Sequence, residues 1–156
     1  MSATTPNMTQ QIARDDARLD AWSSFLRAHA RVVRALETEL QAEQDLALTD
    51  YDVLVQLAAA DDRRLRMSEL ADRLVLSRSG ATRLVDRLVA DGLVERVVCE
   101  SDRRGQWASL TDAGYRRLRE ASPTHLRGVA DHFLDRFDAD ELAALGAMLD
   151  RLASQS

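Results

Sequence analysis

The sequence predicts a mainly α fold carrying one two-stranded β-hairpin. Three observations carry this. Apolar residues recur at spacings of three and four through most of the 156-residue chain. The helix formers Leu, Ala, Arg and Glu dominate, and only two residues are proline. A single valine-rich stretch, Leu93 to Glu100, breaks the helical period. The length predicts one domain, or one domain with appended helices. Such a chain buries roughly 70% of its unfolded surface and needs no disulfide or metal to fold. The lone Cys99 excludes an internal disulfide and suits a reducing cytoplasm. No apolar run reaches the roughly 20 residues of a membrane span, and Met1 to Gln11 lacks the layout of a secretion signal.

Residues 1–14 are predicted to be a flexible N-terminal arm. A long helix follows from about Asp15 to Gln44. Leu19, Trp22, Leu26, His29, Val33, Leu36 and Leu40 recur at heptad spacing, with a second apolar edge at Phe25 and Val32. A helix apolar on more than one side needs more partners than one small domain supplies, so self-association is expected. Residues 15–48 are therefore assigned to an N-terminal dimerisation helix and its connection.

Thr49 to Asp52 reads as a capping-box variant. It opens a short helix with Val53, Leu54, Leu57 and Ala58 inward. Asp61 to Arg64 is a charged loop, and Leu65 to Met67 a brief strand. Ser68 caps a second short helix with Leu70, Ala71 and Leu74 inward, and Val75-Leu76 is the turn. Ser77 caps a third, with Ala81, Leu84, Val85 and Leu88 inward and Gly92 as its C-terminal stop.

Leu93 to Glu100 and Gln106 to Leu110 form a hairpin around the polar turn Ser101 to Gly105. Thr111 caps a helix running to about Phe137. Pro123 must kink or break it, or else Ser122-Pro123 starts a new helix. A capping box from Asp138 to Glu141 starts the last helix, with Leu142, Leu145, Met148, Leu149 and Leu152 inward. This order makes residues 49–111 a winged helix-turn-helix whose third short helix is the recognition helix. Residues 112–156 are the C-terminal dimerisation helices.

On the recognition helix, Ser79, Thr82, Arg83 and Asp86 are predicted to face outward, flanked by Arg78 and Arg87. Hydroxyls and arginines near a helix N-terminus, here Ser77 onward, suit phosphate and guanine edges in a major groove. Gly80 leaves no side chain to hold the backbone off a duplex. In the wing, Arg103 and Arg104 suit a narrow minor groove, with Asp102 placed to steady Arg104. The net charge of −5 argues against nucleic acid only until it is divided. Arg63 to Arg104 holds ten arginines and seven acids, so that segment is +3 and the remainder −8. Every cation is arginine; there is no lysine.

Leu76 to Arg96 (LSRSGATRLVDRLVADGLVER), followed by Asp102-Arg103-Arg104 and by Leu110 to Gly114, resembles the multiple antibiotic resistance regulator (MarR) family. The resemblance covers roughly residues 15–154. It implies a homodimer formed through the first and last helices and a pseudo-palindromic duplex-DNA operator. It implies a repressor, in many members released by a small molecule. It places Asp102 and Arg104 as the wing pair and Ser77 to Arg87 on the recognition helix. It also suggests an effector pocket, where Trp22 and His29 would suit a small aromatic or anionic ligand. Packing at the dimer seam is the alternative for both residues. The family's peroxide sensors carry their cysteine near the start of the first helix, where this chain has none, so Cys99 is expected to be inert.

No metal or cofactor is expected. His29, His125 and His132 lack the cysteines and spacing of a closed site. No glycine-rich phosphate loop or HExxH motif supports an enzyme. The expected function is a cytoplasmic, sequence-specific transcriptional regulator. The alternative is a winged-helix protein-interaction module without DNA binding.

Overall fold

The computed structural model describes residues 17–98 and 105–153. The order is α1 (Ala17–Gln44), α2 (Leu48–Ala58), a 3-10 turn (Asp61–Arg63), β1 (Arg64–Arg66), α3 (Met67–Arg73) and α4 (Arg78–Ala90). Then come β2 (Val94–Val98), β3 (Gln106–Leu110), α5 (Asp112–His132), a 3-10 turn (Leu134–Arg136) and α6 (Ala139–Ala153).

One core joins these elements. Leu36 and Leu40 of α1 meet Leu118 and Ala121 of α5 and the inward residues of α2, α3 and α4. The predicted inward set of α4 (Ala81, Leu84, Val85 and Leu88) is buried throughout. Gly128 lets α1 and α5 approach closely: a Cβ there would stand 2.8 Å from Leu36 Cδ2.

The predicted hairpin forms, and β1 joins it. The antiparallel order is β1-β3-β2, so the wing root is three-stranded. Leu65, Ala108, Leu110 and Val94 bury one sheet face. On the other, the Arg64 and Arg66 guanidiniums lie 5.7 and 5.1 Å from the Trp107 ring centre.

Caps are partly as predicted. Ser77 accepts from the Gly80 amide at 3.1 Å, and Thr111 from the Gly114 amide at 2.9 Å. Asp138 and Glu141 exchange the two bonds of a capping box, at 2.9 and 3.0 Å. Gly92 ends α4 at φ 74°. Thr49 and Ser68 are not caps. Helix α2 starts two residues earlier than a Thr49 cap would set it, with Ala47 at the cap position, because Glu37 Oε2 accepts the Leu48 amide at 2.8 Å. Helix α3 follows β1 directly, with Arg66 at its cap position.

Pro123 neither breaks α5 nor starts a new helix. It lies on the exposed side, and the helix continues to His132. There Phe133, at φ −132° and ψ −63°, ends it short of the predicted Phe137. The inward assignment in α6 is met only in part within one chain. Leu142, Leu145 and Leu149 are half-buried, while Met148 (49%) and Leu152 (65%) are exposed. Trp22 (56%) and Leu26 (44%) of α1 are exposed in the same way.

Candidate nucleic-acid interface

The exposed face of α4 carries the candidate contacts. Ser79, Thr82 and Arg83 are exposed, as are Ser77 and Arg78 at the start of the helix. The Ser77 cap sets the direction of the first turn, and Ser77 Oγ also lies 3.2 Å from Ser79 Oγ. Gly80 has a local reason beyond access to a duplex: a Cβ would sit 3.1 Å from the capping Ser77 Oγ. Arg66, Ser68, Arg78, Thr82, Gly105 and Gln106 line a polar hollow of about 460 Å³ between α4 and the wing root.

Arg87 departs from the sequence reading. Its guanidinium turns to Asp50 of α2, a side chain only 11% exposed, instead of standing free beside the outward face. The Asp50 hydrogen bond raises the Arg87 pKa above its ordinary value, so the guanidinium stays charged. Asp86, placed on the outward face by its spacing, pairs with Arg96 of β2. Sequence reasoning missed both pairs, since neither a 37-residue nor a 10-residue separation has a local pattern.

Asp102, Arg103 and Arg104, with Cys99, lie outside the described residues. Trp22 stacks on Phe25 at 6.0 Å, and Phe25 lies 6.2 Å from His29. His29 lines an apolar groove of about 480 Å³ with Phe25, Val32, Phe133, Phe137 and Leu145, and Trp22 does not.

The other histidines serve the α5 seam. His132 Nε2 lies 2.6 Å from Glu39 Oε1 of α1. His125 packs 4.4 Å from the Tyr51 ring, and its buried Nδ1 has no hydrogen-bond partner. Burial pushes its pKa down. Among the described residues, no three His, Cys, Asp or Glu side chains cluster to hold a metal ion. No helix among them is long and apolar enough to cross a membrane.

Known proteins share this arrangement. A sequence model of the MarR family matches residues 44–105. Transcriptional repressor MprA of Escherichia coli (strain K12) is 35% identical over 80 residues, 51% of this chain and 46% of MprA. The chain thus spans less than half the length of that relative. HTH-type transcriptional repressor YetL of Bacillus subtilis (strain 168) is 30% identical over 115 residues, 72% of this chain and 69% of YetL. The solved structure of Sco3205, a MarR family transcriptional regulator from Streptomyces coelicolor in complex with DNA, superposes with a TM-score of 0.83. It is 36% identical, covering 88% of this chain and 90% of Sco3205. AbsC, a MarR family transcriptional regulator from the same organism, gives a TM-score of 0.81 at 32% identity over 97% of this chain and 96% of AbsC. The likeness takes in the helix-turn-helix and the wing root, and in the solved structures most of the chain: this protein belongs to the MarR family.

Proposed function

We propose that this protein is a sequence-specific duplex-DNA-binding transcriptional regulator, acting as a homodimeric repressor. The observation that carries the reading is the face of α4. It is capped by Ser77, buried on one side, and exposes Arg78, Ser79, Thr82 and Arg83 on the other. Residues 49–111 form the DNA-binding lobe. Ser79, Thr82 and Arg83 read bases, and Arg104, steadied by Asp102, enters the minor groove beside Arg103. The complex of Sco3205 with DNA supports this assignment. The incompletely covered apolar faces of α1 and α6 support dimerisation through residues 15–48 and 112–156. A small aromatic or anionic effector would enter the groove beside His29.

Selection of duplexes from a random pool tests this reading. The expected product is an inverted repeat with half-sites one helical turn, about 34 Å, apart. Recovery of no consensus by folded protein would favour the protein-interaction module instead.

A further inference from the structure

Arg96 stands where the wing sheet leaves the core. Val94 and its cross-strand partner Leu110 are buried. Two residues on, Arg96 pairs with buried Ala108 on the same sheet face, and Val98 then pairs with Gln106. By alternation, an arginine there continues a face whose apolar layer has ended.

Its guanidinium forks. Nε and Nη2 donate to Asp86 Oδ1 at 3.2 and 2.7 Å, and Nη1 donates to Gln106 Oε1 at 2.9 Å. Asp86 lies on α4, one turn beyond Thr82 and Arg83, and Gln106 is the first residue of β3. One side chain on β2 thus ties the recognition helix to the neighbouring wing strand. Lysine, with a single ammonium, cannot reproduce this planar fork.

We infer that Arg96 and Asp86 are positioning residues for DNA binding. They fix the angle between wing and recognition helix, so that both meet one duplex without reordering. The inference rests on the DNA-binding reading above. Asp86 separates it from a direct phosphate contact by Arg96. An idle acid on a DNA-facing helix repels phosphate, so its removal would tighten binding. Removing half of a brace weakens it.

The test uses the full chain and a duplex that the wild-type protein selects from a random pool. Affinity and its salt dependence are measured for Asp86→Ala, Asp86→Asn, Arg96→Ala, Arg96→Lys and the double alanine variant. Thermal melts confirm that each is folded. Every single variant is expected to bind about tenfold more weakly, with the double no weaker than either alanine variant. Asp86→Asn should keep the wild-type salt slope. Wild-type or tighter binding by Asp86→Ala overturns the inference while leaving the DNA-binding reading intact. So do additive losses with a reduced salt slope for Arg96→Ala. Failure of the wild-type protein to select any duplex overturns that reading, and the inference with it.

Discussion

The guanidinium of Arg87 is hydrogen-bonded to the carboxylate of Asp50, joining α4 to α2. Arg87 is about half exposed while Asp50 is almost enclosed, so the two partners are not equivalent. Arg87→Ala leaves a buried carboxylate unpaired and should cost about 1–3 kcal/mol in urea unfolding. Because Arg87 is turned toward α2, the salt slope of DNA binding should stay at its wild-type value. A reduced slope would show that Arg87 reaches phosphate after all.

Gly114 is fixed by crowding. A Cβ there would sit 2.1 Å from the Leu93 carbonyl oxygen, a backbone atom unable to turn aside. The Gly114 amide meanwhile occupies the Thr111 cap. Gly114→Ala should lose about 1–3 kcal/mol, read by chemical unfolding, despite alanine's better helix propensity.

His125 should make the fold acid-sensitive. Burial holds its folded pKa below the ordinary 6.5, so the neutral ring is the form the fold favours. Its contribution is present above 6.5 and lost as pH falls through the lower, folded value. His125→Phe keeps an aromatic ring beside Tyr51 and removes the unpartnered Nδ1. Its melting temperature should fall less than that of the wild type between pH 7 and pH 5. Equal losses would place the acid sensitivity elsewhere.

Asp52 should act in the opposite direction. Burial, then the nearby Glu37, raise its pKa above 3.8. The protonated carboxyl is favoured in the fold, so that stabilisation is present below 3.8 and lost as pH rises through the folded value. Asp52→Asn should melt higher than wild type at pH 7, with the gain fading in acid.

The apolar faces of α1 and α6 give a test of assembly. Light scattering should report about twice the 17.4 kDa chain mass for the wild type. Leu26→Asp or Met148→Asp should shift it toward the single-chain value, because each would bury a charge in an apolar seam.

Local signals made most of this fold legible. The Ser77, Thr111 and Asp138 caps and Gly92 each act over a few residues and stand where the sequence puts them, and the valine run is a strand over Val94–Val98. Errors arose where tertiary contacts override local preference. Glu37 supplies the start of α2 that Thr49 was expected to cap, and α5 runs through Pro123 on its exposed side. The outward face of α4 was readable from its apolar stripe. Its ion pairs were not, because Asp50 and Arg96 reach it from other elements.

Whether the exposed face of α4 binds DNA is decided by Arg83, which stands in the middle of that face. Wild-type protein and Arg83→Ala are titrated against the same selected duplex at about 50 and 200 mM salt. The wild type should bind saturably and weaken steeply with salt, and Arg83→Ala should lose about 1–3 kcal/mol with relaxed specificity at one base position. Unchanged affinity and specificity in a folded Arg83→Ala protein would contradict the account.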